Sequence, residues 1–295
     1  FAGREGDFVT ARQIQERLNQ QLETDVSLKV SNTDSPDTWV VAGRGELHLS
    51  ILIENMRREG YELQVSKPQV IIKEIDGVMC EPFERVQCEV PQENAGAVIE
   101  SLGARKGEMV DMTTTDNGLT RLIFNVPARG MIGYTTEFMS MTRGYGIINH
   151  TFEEFRARIK AQIGGRRNGA LISMDQGSAS TYAILGLEDR GVNFMEPGTE
   201  VYEGMIVGEH NRENDLTVNI TKTKHQTNVR SATKDQTQTM NRPRILTLEE
   251  ALQFINDDEL VEVTPESIRL RKKILNKNVR EKEAKRIKQM MQENE

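Results

Sequence analysis

Cysteine is nearly absent from this sequence of 295 residues: Cys80 and Cys88 are its only two. Neither falls in a CxxC pair or a Cys/His cluster, which excludes a disulfide framework and any zinc site of ordinary spacing. The pair reads as two half-buried thiols in a reducing cytosol. Aromatic residues make up 5%, with a single tryptophan. No run of about eighteen apolar residues occurs, so no segment is expected to span a membrane, and no basic-then-apolar leader opens the chain.

Also missing is GxxxxGK[ST], the loop whose backbone cradles nucleotide phosphates and whose hydroxyl holds magnesium. Gly164-Gly-Arg-Arg-Asn-Gly169 supplies glycines and charge, but it continues as Ala170-Leu171, so a turn explains it better. Gly43-x-Gly45 runs into Leu47-His48 and lacks the third glycine of a dinucleotide fingerprint. His48 sits beside Glu46 at a helix start and His150 in mid-strand, neither with a nucleophile, so both read as packed or surface histidines. Glu153-Glu154 and Asp257-Asp258 are adjacent in sequence rather than facing one another. No catalytic residue and no metal-ligand set is predicted.

What is present points to a chain of two or three domains. Hydrophobic residues at 37% and charged ones at 28% suit a globular protein with a hydrated surface. The net charge of −7 argues against a generic nucleic-acid binder, but it hides a gradient. Residues 221–295 hold sixteen Lys/Arg against twelve Asp/Glu, which leaves 22 against 33 in the first 220. Such asymmetry predicts a basic contact surface at one end.

Along the chain, Thr10 and Gln13 have capping-box spacing before Ala11, Ile14, Leu18 and Leu22, which share one helical face. Val26, Leu28 and Val30 alternate as a strand, and Trp39–Val41 makes a short second one. A helix with Ile51, Leu52 and Met56 buried ends at Gly60, and Tyr61, Leu63 and Val65 alternate again. The order α-β-β-α-β is a ferredoxin-like sandwich whose first strand is expected before Phe1. A complete β-α-β-β-α-β follows: a strand from Val70 with a hairpin at Asp76-Gly77, a helix with Ala95, Val98, Ile99 and Leu102, and a hairpin at Asp116-Asn117-Gly118. A helix with Met131, Tyr134, Phe138 and Met141, then a strand over 147–159, completes it.

After residue 160 short apolar stretches alternate with glycine, which suggests a small antiparallel barrel. The expected fold class is therefore α+β. Two ferredoxin-like α/β sandwiches at 1–66 and 67–158 precede a small antiparallel β-barrel domain at 159–295, with a basic loop and short helices.

Residues 221–244 hold Lys222, Lys224, Arg230, Lys234, Arg242 and Arg244 against one acid, Asp235. Val229 and Met240 are the only large apolar side chains there, so the stretch cannot bury enough surface to offset its ordering entropy. It is either a solvated loop or a phosphate-binding arm, in which Asn228, Gln226 and Thr227 add neutral hydrogen bonds. Thr247 and Glu250 form a second capping box. Strands are expected at Leu260–Val263 and Ser267–Leu270, with Ile268 and Leu270 inward. Arg269, Arg271 and Lys273 then share the opposite face, either as an ordinary solvated surface or as a row of like charges that a polyanion would relieve. Residues 269–295 form a basic tail, and from 276 they read as a frayed basic helix or a disordered segment.

Gly43-Arg-Gly-Glu-Leu-His-Leu49 with Lys67-Pro68-Gln-Val70 resembles the third domain of elongation factor G. Glu81-Pro82 to Val90-Pro91, Leu102-Gly-Ala-Arg-Lys-Gly107, Pro127-Ala-Arg-Gly-Met-Ile-Gly-Tyr134 and Thr142-Arg-Gly-Tyr-Gly146 resemble its fifth. The two are joined directly at about residue 67. With Arg167-Asn-Gly-Ala-Leu-Ile-Ser173, Val201-Tyr-Glu-Gly-Met-Ile-Val-Gly208 and Glu213-Asn-Asp-Leu216, the whole chain is similar to the BipA/TypA translational GTPases.

That resemblance implies a cytoplasmic, monomeric protein that binds GTP and magnesium on domains outside this chain and hydrolyses GTP on the ribosome. It also implies roles in stress response, virulence regulation and assembly of the large subunit. This region would hold no cofactor of its own and would contact ribosomal RNA, with tRNA and ribosomal proteins as further partners. Lys224-His-Gln-Thr-Asn-Val-Arg-Ser231 matches the family's loop and favours the phosphate-binding reading of the arm. Two rivals stand beside it: a protein–protein module with acidic first domains, and a small-molecule enzyme on a ferredoxin-like fold.

Overall fold

In a computed structural model, residues 1–223 and 240–293 are described. They form two compact units, Phe1–Lys67 together with Arg166–Glu295, and Pro68–Gly165.

The first unit begins with helix α1 (Ala11–Thr24). Its capping box is formed as expected, Thr10 and Gln13 each accepting the other's backbone N–H. Strands β1 (Lys29–Asn32) and β2 (Trp39–Ala42) make an antiparallel hairpin. Helix α2 (Glu46–Arg58) buries Leu52 and Met56 against Leu18 and Leu28, and Ile53 against the core of residues 170–270. Because α2 packs on two sides, its stripe turns towards Ile53, and Ile51, expected inside, is 51% exposed. Strand β3 (Leu63–Ser66) does not join the hairpin.

The second unit holds β4 (Lys73–Ile75), β5 (Val78–Pro91), α3 (Gln92–Ala104), β6 (Glu108–Thr114), β7 (Leu119–Pro127), α4 (Ala128–Met131), α5 (Tyr134–Met141) and β8 (Ile147–Ala157). Its strands lie in the order β8-β5-β7-β6, all antiparallel, which is the arrangement of a split βαβ sandwich. Val86, Cys88, Val90, Leu122, Phe124 and Val126 pack against Val98, Leu102, Tyr134 and Phe138 of the helices. Gly133, at φ 74°, breaks the single helix expected over 131–141 into α4 and α5.

The first unit resumes with β9 (Ala170–Ser173), β10 (Gly177–Ser178), α6 (Thr181–Leu187), a 3₁₀ turn at Glu188–Arg190, β11 (Gly191–Asn193), β12 (Glu200–Val201), β13 (Met205–His210) and β14 (Leu216–Val218). Helix α7 (Leu248–Phe254), strands β15 (Glu259–Val263) and β16 (Ile268–Lys272), and helix α8 (Lys277–Glu293) follow. The sheet runs β14-β9-β13-β16-β15-β3, with β11 also on β13.

The α+β class stands, but the expected barrel does not close among the described residues. Strand β3, from the first 67 residues, pairs antiparallel with β15 from Leu63↔Val263 to Ser66↔Leu260. It thereby takes the edge that a closing strand would need. At the other edge β14 pairs with β9 in parallel, so the sheet is open and mixed.

Candidate functional site

The basic stretch is anchored around α6. Ser180 caps this helix, accepting the Ala183 N–H, while its hydroxyl donates to the Lys222 carbonyl. On the return, the Asn241 N–H donates to Glu188 at 2.7 Å and the Arg244 N–H to the Asn193 carbonyl at 2.9 Å. The chain therefore leaves beside the start of α6 and comes back beside its end.

A cleft along the helix is lined by Tyr182, Leu185, Arg190, Asn219 and Lys222, with Tyr182 47% exposed. Lys222 and Arg242 are exposed and have no carboxylate within ion-pair distance among the described residues. Arg244 is also exposed but is shared with Glu250 and Glu209, at 3.5 and 3.7 Å. Lys224, Asn228, Arg230 and Lys234 lie outside the described residues.

Strand β16 overturns the expectation of free like charges on one face. Ile268 and Leu270 do share a face, and Arg269 and Arg271 the other, but that other face is covered. Residues 1–6 lie over it, held by Glu62, which accepts the N–H groups of Gly3, Glu5 and Gly6 at 2.6, 2.9 and 2.7 Å. Arg269 is 8% exposed and donates to Glu5 at 2.7 Å and Glu262 at 3.1 Å.

Burial works against the Glu5 carboxylate, yet bonds from Thr264 and Arg269 hold its pKa below the usual range. Arg271 contacts Glu262 at 3.4 Å and turns to the carbonyls of Lys272 and Lys273. With each guanidinium neutralised internally, only Lys273 of the three stays exposed.

The neighbouring Lys272 was not anticipated at all. It is 2% exposed, its ammonium 2.6 Å from Asp215, 2.7 Å from Glu259 and 2.9 Å from Asp258. Arg166 pairs with the same Glu259 at 2.9 Å and lies 4.2 Å over the Phe254 ring. Burial opposes the Lys272 charge, but Glu259 and Asp215 carry its pKa above the ordinary lysine value. Asp215 is likewise opposed by burial and held below the usual carboxylate range by Lys272. The signal lay in parity: Lys272 shares the inward face of Ile268 and Leu270.

These contacts also answer whether the glycine-rich turn fits GTP. Arg166 is consumed by Glu259, and a Cβ at Gly169 would sit 2.1 Å from the Asn214 carbonyl oxygen. The glycine is there for close packing, so the residues present do not fit a phosphate cradle. His48 makes a 2.6 Å contact with Asp25, which also accepts the Ser27 hydroxyl. Those bonds hold the Asp25 carboxyl at about 2. The carboxylate stands between serine and imidazole, and the other ring nitrogen faces the Arg44 N–H, so neither ring nitrogen faces that hydroxyl. His150 pairs with Glu84 at 2.6 Å on a sheet face. None of these groups lines the α6 cleft.

Three family models match the chain in series. Residues 9–67 match elongation factor G domain III, residues 78–162 the elongation factor G C-terminus, and residues 168–277 the TypA/BipA C-terminal domain. A curated relative from Bacillus subtilis (strain 168), called large ribosomal subunit assembly factor BipA, is 70% identical over 288 residues, covering 98% of this chain and 47% of the relative.

The chain belongs to the TypA/BipA family. Relatives of the same name are 54% identical in Synechocystis (92% of this chain, 45% of the relative) and 50% identical in Escherichia coli K12 (95% and 46%). The chain thus spans about half the length of the TypA/BipA proteins it matches, and its matches are to their carboxy-terminal domains. No described helix is long and apolar enough to cross a membrane.

Proposed function

We propose that this chain is the ribosome-docking part of a translational GTPase that acts in assembly of the large subunit, and that the stretch 221–244 is its RNA contact. The observation that carries this reading is the pair of exposed cations, Lys222 and Arg242, at the two roots of the stretch. Both lack an internal carboxylate among the described residues, and an exposed tyrosine lies in the cleft beside Lys222. Elsewhere in the same unit the arginines of β16 are neutralised from within, which makes this cationic surface available to a polyanion.

Lys224, Asn228, Arg230 and Lys234 extend it by their sequence, and Lys273 adds an exposed charge after β16. Binding of GTP and magnesium and hydrolysis belong to the remainder of the whole protein. This part contributes affinity and orientation. The family names of the relatives support the ribosomal partner, and the charge pattern supports RNA as the surface touched.

Replacing Lys222, Lys224, Arg230 and Arg242 by alanine should weaken association with large ribosomal subunits. It should also reduce the slope of log affinity against log salt by about three, because each phosphate contact contributes about 0.7–0.9. An unchanged slope in sedimentation at several salt concentrations would refute the RNA contact.

A further inference from the structure

Helix α8 is fastened at its base, and most of the side chains described along the rest of it are exposed. The Asn276 side chain accepts the N–H groups of Asn278 and Val279 at 3.1 and 3.2 Å, capping the first turn. The Lys277 N–H donates to Glu203 at 2.9 Å, and the half-buried Arg280 guanidinium reaches back to the Ile274 carbonyl at 3.0 Å. These bonds set the direction in which the helix leaves the body. From Glu281 to Met290 every described side chain but Glu283 is exposed. The family's C-terminal domain match ends at residue 277.

A lone helix of 17 residues is only marginally stable in water, and such a helix ordinarily hides an apolar stripe. Here one stripe is polar. Asn278, Lys282, Lys285 and Gln289 succeed one another at steps of four, three and four, which places them on one side of the helix over about 16 Å. Glu281 is turned to Lys277 and Glu283 to Arg286, at 3.8 and 3.1 Å. Lys282 and Lys285 are exposed with no carboxylate within ion-pair distance among the described residues. Two like charges three apart cost the free helix a few tenths of a kcal/mol, a cost that neighbouring anions would remove.

We infer that α8 is a second, pre-oriented RNA-binding element, whose Asn278–Lys282–Lys285–Gln289 stripe lies against the phosphates of a ribosomal RNA helix. The inference rests on the ribosomal reading above but uses residues outside the basic stretch. An RNA partner is favoured over a protein because the stripe offers spaced cations and amides, the groups that take phosphate oxygens.

The test uses the full chain, large ribosomal subunits and a salt series, with the K282A/K285A and I287S variants measured beside the unchanged protein. Ile287 is exposed and lies off the stripe. K282A/K285A should lower affinity about three- to tenfold and the salt slope by about 1.5, while I287S leaves both as they were. Full affinity and full slope in K282A/K285A overturn the inference and leave the basic stretch untouched as a contact. Loss in I287S alone overturns it in favour of apolar docking on a protein. If the unchanged chain fails to bind subunits, both this inference and the ribosomal reading fall.

Discussion

Replacing Lys272 with methionine keeps the unbranched shape of the side chain, one heavy atom shorter, while removing one charge from a site where Lys272 is 2% and Glu259 0% exposed. The ammonium has three carboxylate oxygens within 2.6–2.9 Å. Removing one partner of a buried ionic cluster costs about 3–5 kcal/mol, because the charges left behind remain desolvated. Arg166 still neutralises Glu259, so the lower end, about 3 kcal/mol, is expected. For a unit of about 200 residues that lowers Tm by about 6–12 °C.

The effect also has a pH signature. Lys272 is raised above 10.5 in the folded state, so its stabilisation is complete below that value and fades only as pH climbs through the raised one. Asp215 is depressed below 3.8, so its stabilisation is present above that value and fades as pH falls through the lowered one. In the methionine variant Asp215 loses the nearest of the charges that offset its burial, with Arg166 at 3.6 Å remaining. Protonation then relieves it, and the gap between the two proteins should be widest near pH 7 and narrow towards pH 4. Urea unfolding followed by fluorescence of Trp39, the single tryptophan and a residue of the same unit, reads the gap directly. A loss under about 1 kcal/mol at pH 7, or a gap that stays constant down to pH 4, refutes the reasoning.

Two further outcomes are expected. Cys80 and Cys88 are buried, and burial pushes the Cys88 thiol up to about 12, so a disulfide thiol reagent at pH 8 should react with neither until denaturant is added. At Gly204, with φ at 87°, an alanine Cβ would meet the Leu275 Cα at 2.7 Å and its carbonyl oxygen at 2.8 Å. Gly204→Ala should therefore destabilise by about 2 kcal/mol or more in the same unfolding assay.

What could be read from the residues alone was local. Both capping boxes, at Thr10 and Thr247, depend on side chains three apart and were formed as their spacing implies. The order of the complete sandwich followed from period-two and period-3.6 patterns punctuated by Gly118 and Asp76-Gly77. Contacts distant in the chain left no such mark. Nothing near Arg269 announces Glu5, 264 residues away, so alternation assigned the right face to the arginine but the wrong surroundings. The barrel failed for the same reason: short strands set off by glycine describe an open and a closed sheet equally well, and only the arrival of β3 decides between them. Lys272 is a different case: its parity with Leu270 is legible in the sequence, but nothing local marks the three carboxylates that let a lysine be buried there.

The hydrogen bonds between Leu63–Ser66 and Leu260–Val263 have a consequence for biosynthesis. A ribosome making this chain must add about two hundred residues after the first of these strands before the second exists. The early helices and hairpin then wait with one edge of backbone donors and acceptors unsatisfied, exposed to mispairing. Residues 68–165 carry a complete sheet of their own and can settle meanwhile, so a middle piece is finished before the piece that precedes it.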